Sequence, residues 1–116
     1  MNMHRGRFAL AAFCLAASSC AGVNTPLDAT DTTPVTIEVI GINGARSFAP
    51  NPQSLPAGRP VVWRNADIEK HHIVLDDRSV DTGVLRPGAS SAPLPVDATG
   101  PYHCAIHPTM VGTLRR

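Results

Sequence analysis

Cys104, His107 and Met110 bring a thiol, an imidazole and a thioether into seven residues, within Tyr102-His103-Cys104-Ala105-Ile106-His107-Pro108-Thr109-Met110. One metal ion can take all three. Soft sulfur ligands select copper, and two imidazoles with one thiolate and a weak axial thioether make the donor set of a blue-copper electron-transfer site. The second imidazole has two candidates upstream, in Lys70-His71-His72-Ile73. Other chemistries account for less of the pattern. A lone cysteine is often a buried hydrophobe and a lone methionine a gap-filler, but their joint spacing with His107 points to ligation. Zinc sites draw on Cys, His, Asp and Glu, which leaves Met110 without a role. A cysteine protease pairs its thiolate with a histidine and an orienting Asn or Asp, and no further feature supports one.

The elements that must position these groups read as strands. Val35, Ile37 and Val39 alternate with Thr36 and Glu38, the period of a half-buried strand. Val61-Val62-Trp63 and Ile73-Val74-Leu75 are further strand candidates, and a strand after Thr99-Gly100-Pro101 carries Tyr102 to Cys104. Phe48-Ala49-Pro50-Asn51-Pro52, Asp76-Asp77-Arg78-Ser79 and Arg86-Pro87-Gly88-Ala89 have turn chemistry. Turn signals at this spacing suit a sandwich, and eleven prolines disfavour helices. The expected fold is therefore all-β. Phe48, Trp63 and Tyr102 are the large aromatics from residue 35 onward, each expected in the core, and aliphatic side chains must supply most of the burial. Only six residues follow Met110 in the sequence, so a short last strand is expected, with Leu114 as its core contact.

The first 34 residues read differently. Arg5 and Arg7 precede the apolar run Phe8 to Ala17, and small residues follow at Ser18-Ser19-Cys20-Ala21, the three parts of an export signal over 1–19. The apolar run is too short to span a bilayer. Leu15-Ala16-Ala17-Ser18-Ser19-Cys20 also resembles a bacterial lipobox, with Ala17 where a larger aliphatic residue is usual, so the expectations are a lipid anchor at Cys20 or ordinary cleavage after Ala21. Residues 20–34 are polar and turn-rich, a flexible tether reaching roughly 40 Å when extended, and 35–116 form the folded domain. Cys14 leaves with the signal, and Cys104 is then the single thiol of the domain. In an oxidising exported compartment such as the bacterial periplasm, an unpaired thiol is a liability unless a metal occupies it. Formal net charge is +1 over the whole chain, and loss of Arg5 and Arg7 leaves eight basic against nine acidic residues. This balance excludes a strongly charge-steered polyanion partner such as nucleic acid.

Further motifs join these. Phe48-x-Pro50 with Gly58, Val61-x-Trp63-x-Asn65-x-Asp67 with His71, Asp81-x-Gly83, Pro87-Gly88 and Tyr102-His103-Cys104-x-x-His107-Pro108-x-Met110-x-Gly112 together resemble the cupredoxins, in particular plastocyanin and amicyanin. The likeness runs from about Phe48 to Leu114 and more weakly from Val35. It implies a Greek-key β-sandwich of about seven to eight short strands holding one type 1 copper per chain. Successive strand residues point to opposite faces, so one of His71 and His72 faces the metal, and the register of the family selects His71. The implied ligands are His71, Cys104 as thiolate, His107 and Met110, with the backbone of His72 helping to hold the copper loop. Pro108 is expected to stiffen the loop and Gly112 to permit the turn into the last strand. Asp81-x-Gly83 and Pro87-Gly88 stand at the family's middle turns.

The resemblance also implies single-electron traffic between Cu(I) and Cu(II), with His107 as electron port inside an apolar collar of Ile106, Pro108 and Pro50 or Pro52. Transient redox protein partners would dock there, on a monomer that meets the membrane only through a lipid anchor. The alternative is a periplasmic copper chaperone or scavenging protein. A histidine beside the copper cysteine binds a second copper in nitrite reductases and multicopper oxidases. Such enzymes need several more histidines, and with three of the four in the domain allotted, His72 alone cannot complete a second site. A carrier rather than an enzyme is expected.

Overall fold

A computed structural model describes residues 31–116. The expected signal and lipid-anchor site, and most of the expected tether, lie outside those residues. The described chain forms eight strands: β1 (Val35–Val39), β2 (Phe48–Ala49), β3 (Gln53–Ser54), β4 (Val61–Asn65), β5 (His71–Leu75), β6 (Asp81–Leu85), β7 (Gly100–Cys104) and β8 (Val111–Arg115). Its one helical turn among the described residues is a 3-10 turn at Gly44–Arg46. The all-β expectation holds.

Two mixed sheets face each other. One has the order β2-β1-β4, with β1 antiparallel to β2 and parallel to β4. The other has the order β3-β8-β7-β5-β6, antiparallel except where β3 runs parallel to β8. After β6 the chain crosses to the first sheet, where Ser91 N donates to Trp63 O (2.8 Å) and Leu94 and Val61 exchange bonds of 2.9 Å. It then returns as β7 beside β5, and this crossover brings the cysteine strand next to the histidine strand.

Alternation decides the core. Ile37 and Val39 of β1, Val61 and Trp63 of β4, Ile73 and Leu75 of β5, and Tyr102 and Cys104 of β7 are all buried. Full burial of a large apolar side chain contributes about 1.5–3 kcal/mol, and the inner faces of both sheets supply these groups. Tyr102 is the hub, edge-on to Phe48 at 4.8 Å and to Trp63 at 5.6 Å between ring centroids. Trp63 Nε1 and Tyr102 Oη have no hydrogen-bond partner within geometric reach, and burial pushes the Tyr102 phenol well above its usual range.

Four local expectations are corrected. Asp81-x-Gly83 is not a turn but the first half of β6, entered after the turn at Asp76–Ser79. Of the expected turn at Phe48–Pro52, Phe48 and Ala49 are strand β2 and only Pro50–Pro52 bend the chain into β3; Asn51 ties this bend to the 3-10 turn and to β8, its Nδ2 donating to Ala45 O (2.7 Å) and Val111 O (3.3 Å) and its Oδ1 accepting from Thr113 N (2.9 Å). The last strand is as long as β7 and is paired on both sides, to β7 and to β3, while Leu114 is its buried hydrophobic residue, as expected. Gly112 sits inside that strand opposite Tyr102 rather than at its entry. A Cβ there would overlap the Tyr102 ring, so the glycine serves the close approach of an aromatic to the backbone.

Candidate metal centre

The centre lies at one end of the sandwich, where β5 begins and β7 ends. Ile73 pairs with Cys104 across the two strands. Paired residues share a face, and so do residues two apart in a strand. His71 therefore projects to the same inner side as Cys104, and both are fully buried. The intervening His72 projects outward, as does His103, which pairs with the outward Val74. The loop after β7 then folds back: Met110 N donates to His107 O (3.0 Å) and Cys104 N to Met110 O (3.1 Å). That short circuit returns His107, half-buried, to the sulfur.

The donor atoms converge. Cys104 Sγ stands 3.8 Å from His71 Nδ1 and 3.8 Å from His107 Nδ1, and all three lie within 4.8 Å of one another. The two imidazole rings meet edge-on with centroids 5.2 Å apart. Metal bonds of about 2.0 Å to nitrogen and 2.3 Å to sulfur together exceed each sulfur–nitrogen separation, so one ion could bridge either pair. Met110 is fully buried at the end of the same loop. This donor set, two imidazoles and a thiol with a thioether on the loop, fits copper by its softness.

Groups around the donors fix their orientation. His72 N approaches Cys104 Sγ at 3.4 Å, and Ala105 N donates to His72 O at 2.7 Å, so the backbone of His72 holds both the sulfur and the start of the loop. On the far side of the His71 ring, Nε2 meets Asp67 Oδ2 at 2.8 Å. Asp67 is itself anchored, its amide donating to Asn65 Oδ1 (2.9 Å) and its Oδ1 accepting from Ile68 N (2.7 Å). Buried Asn65 spans the sheet end by donating to Glu69 O (2.7 Å) and Leu85 O (2.9 Å). The bond with His71, above its other contacts, holds the Asp67 carboxyl below the usual carboxylate range. Asn65 and Asp67 stand in the sequence motif, which by itself assigns them no role. The signal was present in the four-residue interval from Asp67 to His71.

The two other histidines take carboxylates outside the site. His72 Nε2 lies 2.5 Å from Asp81 Oδ1 and His103 Nδ1 2.6 Å from Asp76 Oδ1. Around the loop, Pro50, Pro52, Ile106 and Pro108 are all exposed.

No family model and no curated protein matches the sequence. Solved structures do match the fold. A purple cupredoxin from Nitrosopumilus maritimus is similar at 22% identity over 69% of this chain and 96% of its own, with a TM-score of 0.57. Amicyanin from Paracoccus versutus is similar at 18% identity over 78% of this chain and 83% of its own, with a TM-score of 0.55. An amicyanin variant in its Cu(I) form is similar at 16% identity, with the same TM-score of 0.55. From its strand order, its His-Cys-His cluster and these neighbours, the chain is a β-sandwich with the cupredoxin-like fold.

Proposed function

We propose that the protein is an exported blue-copper carrier that passes single electrons between redox partners and catalyses no reaction itself. The observation that carries this reading is the convergence of His71, Cys104 and His107 around one point, with the sulfur buried. His71, Cys104 and His107 would hold one copper, with the Met110 thioether as a fourth, weaker donor. The bound metal would supply a one-electron couple between Cu(I) and Cu(II), with thiolate and thioether favouring the first and imidazole accepting both.

The chain's own residues supply rigidity. The His72 amide directed at Cys104 Sγ, the paired backbone bonds closing the loop and the Asp67 contact to His71 hold the donors in place before any metal arrives. Donors that need not move between oxidation states allow fast electron exchange. His107 is the half-buried member, which suits an electron port, and the exposed Ile106 and Pro108 beside it in the loop suit a small transient interface. Its partners would be redox proteins docking around His107, with the domain a monomer held to the membrane only if Cys20 is lipidated.

Repeated redox cycling distinguishes this from a copper chaperone. The full chain, loaded with copper and mixed with a metal-free copper acceptor, should keep its metal through many cycles of reduction and reoxidation. Stoichiometric transfer to the acceptor within a few cycles would favour the chaperone.

A further inference from the structure

Among the groups around the donors, one carries a full charge onto a metal-facing ring. The Asp67 side chain is 15% exposed and that of His71 is fully buried, so the contact between them is largely shielded from solvent. Its geometry is one-sided: Nε2 faces the carboxylate at 2.8 Å while Nδ1 faces the Cys104 sulfur. An ionised carboxylate only accepts hydrogen bonds. The proton of a neutral His71 ring therefore belongs on Nε2, which leaves the Nδ1 lone pair free for the metal. Asp67 is not a mobile surface group. Its amide is held by Asn65, Asn65 is clamped to Glu69 and Leu85, and the second carboxylate oxygen is held by Ile68 N.

We propose that Asp67 is a positioning residue that fixes His71 in the Nε2–H tautomer and sets the reduction potential through its negative charge. The inference rests on the copper reading above and deepens it. A carboxylate hydrogen-bonded to a ligating imidazole raises the basicity of that ligand. Added negative charge stabilises the divalent over the monovalent ion, so Asp67 favours Cu(II) and holds the potential down.

Two variants separate geometry from charge. Asp67→Asn keeps an oxygen that can accept from Nε2–H and removes the charge; Asp67→Ala removes both. In the metal-free full chain, nitrogen-15 NMR of the imidazole should show His71 as a single Nε2–H tautomer with a slowly exchanging proton. Asp67→Ala should convert this to mixed tautomers with fast exchange. In the copper-loaded protein, Asp67→Asn should lower the ratio of Cu(II) to Cu(I) affinity by about tenfold, the lower end of such outer-shell effects. This is a rise in midpoint potential of about 59 mV for one electron. A thermal melt of each metal-free variant reports structure alone, and a purely structural Asp67 would move the melt and leave the potential where it was. An Nδ1–H tautomer in the wild type, or an unchanged potential in Asp67→Asn, would overturn the proposal. Failure of the copper reading looks different: the wild type would give no blue species with Cu(II), and the NMR result would still decide the tautomer.

Discussion

His71-His72 on β5 and His103-Cys104 on β7 are neighbouring dipeptides with opposite fates within each pair. The inward members, His71 and Cys104, are fully buried and stand 3.8 Å apart. The outward members, His72 and His103, are partly exposed, and each meets a solvent-facing carboxylate, Asp81 and Asp76. Residue type does not separate the two sides, since three of these four side chains are imidazoles. Strand alternation does, together with the register that pairs Ile73 with Cys104. The inner side is dry, with donors fixed by the backbone, whereas the outer pairs sit in a high dielectric where such contacts contribute little.

The sharpest way to break this comparison is to exchange its members. Cys104→Ala and His71→Ala should each abolish a stable blue copper species, while His72→Ala and His103→Ala should retain it, as read by visible absorption after adding Cu(II). Retention in His71→Ala with loss in His72→Ala would reverse the inner and outer assignments. Next in size is Gly112→Ala, which puts a Cβ into the Tyr102 ring beneath the site. Overpacking typically costs about 1–3 kcal/mol, and a clash with a buried ring opposite the backbone should reach the top of that range in chemical denaturation of the metal-free protein.

A smaller effect tests the outer side alone. His103→Ala removes an exposed pair and should change stability by less than about 1 kcal/mol; a loss of several kcal/mol would mean the outer face is more than a solvated surface. The smallest effect is a pH dependence. The backbone bond from Gly83 N, then the contact with His72, hold the Asp81 carboxyl below its usual range. A depressed carboxyl contributes stability that is full above its unfolded value, near pH 4, and is lost as pH falls through the folded value. The stability difference between the wild type and Asp81→Asn should therefore be constant above about pH 4 and shrink below it. Acid denaturation curves that stay parallel below that pH would contradict this.

Much of the inner side was legible in the sequence because its information is local. The Cys104-x-x-His107-x-x-Met110 spacing and the alternation in β1, β4 and β5 need no tertiary knowledge. What could not be read depends on contacts between distant segments. Gly112 looked like a turn residue until Tyr102 stood opposite it across β7 and β8. Asp81-x-Gly83 carried turn chemistry, but pairing with β5 drew it into a strand. The last strand looked weakly held because the sequence does not reveal that β3 adds to its free edge, or that Asn51 accepts from Thr113 N. Asn65 and Asp67 stand in the motif, but their joint support of His71 appears only when the loop between β4 and β5 closes on itself.

The central claim is that His71, Cys104 and His107, with Met110, form one redox-active copper site. It is tested most directly by adding one equivalent of Cu(II) to the metal-free full chain and recording visible absorption before and after ascorbate. The account predicts an intense thiolate-to-copper band that bleaches on reduction and returns on reoxidation. A chain that stays colourless with Cu(II), whether by binding only Cu(I) or by losing Cys104 to oxidation, would contradict it.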